Sequence, residues 1–157
     1  MKRITSFSAD HDYIDEGMYV SRIDGDITTY DIRARKPNTG DVLDNVTMHT
    51  MEHMVATYIR NSEIADDVIY FGPMGCQTGF YLLIRNAKHD KVFEIIKEIL
   101  QKIISYNGEV FGNTRKECGN YKSLNLDSAK YESILLLSHL ETQESIHMEY
   151  PKYILNL

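Results

Sequence analysis

The sequence predicts an α+β two-layer sandwich, a mainly antiparallel four-stranded sheet packed against helices, on three observations. Two β-patterned runs flank Asp24-Gly25, two apolar runs flank a Gly-rich bend at residues 72–79, and three stretches carry helical periodicity. Hairpins set neighbouring strands antiparallel, and helices between them must cover one face of the resulting sheet. With 157 residues, 43% apolar and 25% charged, the chain can bury a core without staples and is expected to form a single domain over 1–157.

Residues 1–16, including Ser6-Phe7-Ser8-Ala9-Asp10-His11-Asp12, offer few apolar anchors and read as an irregular arm. From Gly17, the residues Met18, Tyr19, Val20 and Ile23 lead into Asp24-Gly25 and a second strand. In that strand Tyr30, Ile32 and Ala34 alternate against Asp31, Arg33 and Arg35, and Lys36-Pro37-Asn38-Thr39-Gly40 ends it. Met51, Met54, Val55, Tyr58 and Ile59 fall at i, i+3, i+4, i+7 and i+8, which predicts a helix from about Asn45 to Arg60 capped by Asp44 or Asn45. Val68 to Phe71 and Gly79 to Ile84 form the other strand pair. A long amphipathic helix carries Val92, Ile95, Ile96, Ile99, Ile103 and Ile104 and stops before Asn107-Gly108. Residues 108–126 read as loop. Asp127 can cap a last helix with Ala129, Ile134, Leu135, Leu137 and Leu140 as its apolar residues, and Pro151 ends the regular structure.

Composition narrows the function. A formal charge of -6, with 17 Lys and Arg scattered among 23 acids, argues against a nucleic-acid surface. No apolar run approaches the ~18 residues of a membrane span, and no signal-peptide core follows Met1-Lys2-Arg3, so a cytoplasmic location is expected. Two cysteines, Cys76 and Cys118, build no disulfide framework, and each needs its own chemical reading.

The sharpest signal is His49-Thr50-Met51-Glu52-His53. At about 100° per residue His49 and His53 lie one turn apart on one helix face, Glu52 borders them, and Arg60 returns to that side two turns later. Two such imidazoles suit a divalent metal, and the carboxylate is placed to handle protons of bound water or substrate. A third ligand must come from elsewhere. Cys118, in the polar segment Lys116-Glu117-Cys118-Gly119-Asn120, is the natural candidate, with Cys76, His11, His89, His139 and His147 as alternatives. His89 reads as a surface residue. Cys76 lies in Pro73-Met74-Gly75-Cys76-Gln77-Thr78-Gly79, where the glycines leave the thiol little covered and suggest a reactive group, the alternative being a thiol buried at a strand end. Arg60 and Arg33 could pair with a substrate carboxylate or form surface ion pairs.

Besides the reading that the resemblance below implies, two functions compete on these residues: an inverzincin-like hydrolase with Glu52 as base, and a structural site closed by Cys76, His49, His53 and Cys118. Inverzincin folds are much larger than this chain, and a hydrolase gives Cys76 no work.

The chain resembles the S-ribosylhomocysteine lyase (LuxS) family. The resemblance runs through Ser6-Phe7, Asp10-His11, Tyr30-Asp31-Ile32-Arg33, Pro37-Asn38, His49 to His53 with Ile59-Arg60, Pro73 to Leu82, Cys118-Gly119 and Ala129-Lys130. It implies one divalent metal per subunit held by His49, His53 and Cys118, with Fe(II) expected and zinc or cobalt able to replace it. It implies Cys76 and Glu52 as the acid and base groups. A homodimer with active sites at the subunit interface is implied too, with Ser6, His11 and Arg33 helping to enclose S-ribosylhomocysteine. The reaction implied is carbonyl migration along the sugar followed by β-elimination of homocysteine, yielding the autoinducer-2 precursor. One departure stands out: Tyr70 occupies a position, three before Pro73, where many family members carry Asp.

Overall fold

The computed structural model describes residues 1–151. Strands β1 (Gly17–Asp24), β2 (Ile27–Arg33), β3 (Val68–Pro73) and β4 (Gly79–Arg85) form one sheet in the order β1-β2-β4-β3 with every neighbouring pair antiparallel. Helices α1 (Asn45–Ile59), α2 (His89–Ser105) and α3 (Leu126–Thr142) supply the second layer. The predicted architecture and all seven elements are present. Residues 1–16 hold only two single 3-10 turns, Thr5–Phe7 and His11–Tyr13.

The two layers meet because the strands alternate and the helices are striped. Met18, Tyr30, Ile32, Phe80, Leu82 and Ile84 leave the sheet toward Met51, Met54, Ile59, Ile96, Ile99, Ile103 and Leu140, all at most 2% exposed. Asp44 caps α1, its carboxylate accepting from Thr47 N at 2.7 Å.

Three details depart from the sequence reading. Asn125, not Asp127, caps α3, its side chain accepting from Ser128 N at 3.0 Å. That start turns Ala129, Glu132, Ser133, Leu136, Leu137 and Leu140 inward and leaves Ile134 half-exposed, because Glu132 is drawn into the core by Arg35 at 2.7 Å to each carboxylate oxygen. Among the described residues regular structure ends at Thr142, before Pro151. Beyond it Gln143 bonds both Met18 N and Met18 O (2.8 and 2.6 Å) and Met148 O accepts from Val20 N at 2.7 Å, so the segment blunts the free edge of β1. The second sheet face is also not solvated as alternation alone suggests: Asp31 and Arg33 are buried there as an ion pair.

Candidate active site

The face of α1 opposite its apolar stripe carries His49, Glu52 and His53. Two backbone carbonyls from loops far along the chain set the imidazoles: Ser123 O lies 2.8 Å from His49 Nδ1, and Phe111 O lies 2.7 Å from His53 Nδ1. A carbonyl only accepts, so each Nδ1 carries a proton, and in the neutral ring that leaves the Nε2 lone pair for a metal. Thr50 holds the first loop in place, since its Oγ1 accepts from Asn125 N at 2.9 Å. Gly112, at φ +69°, lets the second loop turn directly against His53.

Cys118 closes the group. Its Sγ lies 3.3 Å from His49 Nε2, and Asn120 N donates to it at 3.3 Å. Ligand atoms of His49, His53 and Cys118 all lie within 4.8 Å of one another, and among the described residues this is the cluster of three or more metal-ligating side chains. Two neutral imidazoles with free Nε2 and one thiol fit a soft to borderline divalent ion. The observed sulfur–nitrogen separation is near the ~3.5 Å expected between tetrahedral ligands. Glu52 is half-buried beside the histidines. Cys76, His11, His89, His139 and His147 stand outside the cluster, so the four-ligand structural site that includes Cys76 does not form.

Cys76 sits in the β3–β4 connection, and its thiol is exposed. The turn is set by Met74 N donating to Gly79 O (2.8 Å) and by Gln77 in the left-handed region at φ 63°. Gln77 Nε2 donates to Leu43 O at 2.9 Å and to Asn45 Oδ1 at 3.3 Å, tying this connection to the head of α1, one turn before His49. Beneath the thiol, Thr78 Oγ1 lies 3.0 Å from Cys76 Sγ and accepts from Arg33 Nη1 at 2.7 Å. Arg33 is 2% exposed and paired with Asp31, so it reaches the thiol through Thr78.

Other predicted site residues lie elsewhere in this single chain. Ser6 lines an open concavity on the second sheet face with Ser21, Arg22, Tyr70 and Tyr81; His11 lies in another with Arg3, Phe7 and Asp10, its Nδ1 3.0 Å from Ala9 O. Neither concavity includes a member of the metal cluster. Arg60 caps α1, with its guanidinium donating to Val68 O and Ile69 O (3.4 and 3.0 Å) on β3. His89 is half-buried rather than a plain surface residue, because its Nδ1 lies 2.6 Å from the hydroxyl of the buried Tyr30. Sequence reasoning missed Thr50, Thr78 and the carbonyls of Phe111 and Ser123. A backbone carbonyl leaves no side-chain signal, though Gly112 beside Phe111 hinted at a close approach.

The sequence model of the family described as S-ribosylhomocysteinase (LuxS) matches residues 4–147. The chain belongs to the LuxS family. Among its relatives, the S-ribosylhomocysteine lyase of Borreliella afzelii is 43% identical, with 96% of this chain and 100% of the relative covered. The enzymes of the same name from Finegoldia magna and Clostridium acetobutylicum are 40% and 38% identical, each covering 97% of this chain and 100% of the relative. LuxS membership thus extends over both cysteines, the paired histidines and Glu52.

Proposed function

We propose that this chain is a metal-dependent carbon–sulfur lyase that cleaves the thioether of S-ribosylhomocysteine, releasing homocysteine and 4,5-dihydroxy-2,3-pentanedione, the autoinducer-2 precursor. The observation that carries this reading is the convergence of His49, His53 and Cys118 with each imidazole fixed in the ligating tautomer. The membership in a family whose relatives bear the lyase name supplies the substrate.

His49, His53 and Cys118 would hold one divalent ion, Fe(II) in our reading with zinc or cobalt as substitutes. When bound it supplies Lewis acidity toward the sugar's carbonyl and hydroxyl oxygens. The open sugar carries its aldehyde at C1, whereas expelling a thiolate from C5 needs a carbonyl at C3. Protons must therefore move between neighbouring carbons and between their oxygens before elimination. Cys76, exposed and adjacent to a hydroxyl donor, takes and returns protons at carbon. Glu52 moves protons between oxygens and serves in the elimination, where loss of the C4 proton sends electrons to C5 and the C–S bond breaks to homocysteine thiolate. Arg33 steadies Thr78 under the Cys76 thiol.

Ser6, His11 and Arg60 contribute to binding the substrate's polar groups, the first two from the arm of a second copy of the chain in a homodimer with interfacial sites. The exposed Ile4, Phe7 and Tyr13 on that arm favour such an association. Our reading places the enzyme in the cytoplasm, acting without membrane or nucleic acid; among the described residues no helix is long and apolar enough to cross a membrane.

Release of homocysteine, followed with a thiol reagent on adding substrate, tests the reaction. Cys76→Ala is expected to abolish release with metal content unchanged, and retained turnover removes Cys76 from the mechanism. Cys118→Ser is expected to lose metal; full retention contradicts its place among the ligands. If Arg60→Ala leaves apparent substrate affinity unaltered, Arg60 has no part in binding.

A further inference from the structure

The segment after α3 does more than cover an edge. In it Tyr150 stacks on Tyr19 with centroids 5.2 Å apart, and its hydroxyl donates to Asp31 Oδ2 at 2.6 Å. Asp31 is fully buried and receives Arg33 through both oxygens, Nε to Oδ1 at 3.1 Å and Nη2 to Oδ2 at 2.5 Å. Arg33 Nη1 then donates to Thr78 Oγ1, which lies 3.0 Å from Cys76 Sγ. Tyr150, Asp31, Arg33 and Thr78 thus connect the segment after α3 to an exposed thiol.

From Tyr150 to Thr78 the direction of each hydrogen bond follows from chemistry. Asp31 can only accept and Arg33 can only donate. Thr78 Oγ1 accepts from Arg33, and its hydroxyl hydrogen can still be directed at the sulfur 3.0 Å away. A hydroxyl backed by a guanidinium is a surrounding able to hold a charge that develops on sulfur. A buried ion pair contributes little net stability, because desolvation offsets the attraction, so Asp31–Arg33 is better explained by what it orients than by what it stabilises.

We infer that Tyr150 is a positioning residue for the reaction, acting through Asp31, Arg33 and Thr78 on the Cys76 thiol. This rests on the assignment of Cys76 to proton transfer. The hydroxyl of Tyr150 draws charge from Asp31 Oδ2, leaving more of Arg33's positive charge uncompensated toward Thr78 and Cys76. Without it, Asp31 holds Arg33 more tightly to itself, Nη1 is drawn from Thr78, and the thiolate loses support. The other groups whose fields bear on this network are Asp15 and Tyr19 from the β1 side and Tyr81 on β4. Both tyrosines are held above their ordinary pKa, mainly by burial, so they stay neutral at neutral pH.

The test is the pH profile of Cys76 alkylation by iodoacetamide over about pH 5 to 9, read at the Cys76 peptide by mass spectrometry on the metal-loaded protein. Tyr150→Phe keeps the ring on Tyr19 and removes only the hydroxyl. The expected result is a profile displaced toward alkaline pH, with roughly 3-fold slower alkylation on its acid limb, half a pKa unit, and the same alkaline plateau. Tyr19→Phe loses the bond of its hydroxyl to Asp15 O, outside the relay, and is expected to leave the profile in place while costing comparable stability. A Tyr150→Phe profile superimposable on the wild type, or one matched by Tyr19→Phe, overturns the inference. The reading of Cys76 fails separately: turnover by Cys76→Ala removes the thiol from the reaction, whatever Tyr150→Phe does to its alkylation.

Discussion

Gly112→Ala is the substitution that separates metal-site geometry from general stability. Gly112 has φ +69°, and a Cβ there would lie 3.2 Å from His53 Nδ1 and 3.4 Å from His53 Cε1. Two costs follow. An L-residue in the left-handed region is strained by about 1–2 kcal/mol, which is paid in folding stability. The new methyl also presses on the ring whose Nδ1 bonds Phe111 O at 2.7 Å, so the imidazole must shift by a few tenths of an ångström or loosen that bond. Removing the partner that orients a ligating histidine typically costs 10- to 100-fold in metal affinity, or about 1.4–2.8 kcal/mol, and we expect the lower end because the carbonyl remains. Gly40 provides the control, with φ +83° and nothing within 4 Å of its virtual Cβ. Gly40→Ala should carry the backbone cost alone. Chelator competition gives the metal affinity, and urea unfolding of the metal-free proteins gives the stability. Equal metal affinity in Gly112→Ala and the wild type, or an equal loss in Gly40→Ala, would refute the idea that the 111–112 loop aims His53.

Three further outcomes follow from packing and charge. Ile103→Ala should destabilise by about 2–5 kcal/mol, whereas Ile134→Ala, on the solvent side of α3, should stay within about 0.5 kcal/mol in chemical denaturation. Arg35→Met strands the Glu132 carboxylate, 2% exposed, and should cost about 3–5 kcal/mol at neutral pH. That loss should shrink toward about pH 4, because burial already pushes Glu132 upward against the opposing pull of Arg35 and protonation relieves it. Burial also raises the pKa of Tyr30 and Tyr150 well above the ordinary phenol value. Unfolded tyrosines ionise near pH 10 while these stay protonated when folded, so their contribution is complete below about pH 10 and is lost above it, by up to about 1.4 kcal/mol per pH unit for each. Tyr30→Phe should flatten the alkaline limb of stability against pH; an unchanged slope would rule Tyr30 out as its source.

Much of the site was readable in the chain because it depends on local geometry. One helical turn separates His49 from His53, so their shared face follows from helix pitch alone; the glycines around Cys76 left an uncovered thiol and a buried one both open, and the structure exposes it. The four strands and three helices followed from periods of two and 3.6 for the same reason.

What the sequence by itself determined, then, is whatever a few consecutive residues specify: element types, the order of the strands in each hairpin, the paired imidazoles on α1. Only the tertiary structure decided which distant atoms complete them. The Phe111 and Ser123 carbonyls that select the tautomers come from loops 58 and 74 residues beyond their histidines. Burial of Asp31 and Arg33 on the second face of the sheet, and of Glu132 within α3, likewise reverses what alternation and charge suggest. In each case the partner lies far along the chain, Tyr150 for Asp31 and Arg35 for Glu132. Local pattern reports a residue's polarity; whether that polarity meets water or a partner is settled by chain segments that approach only once the core has formed.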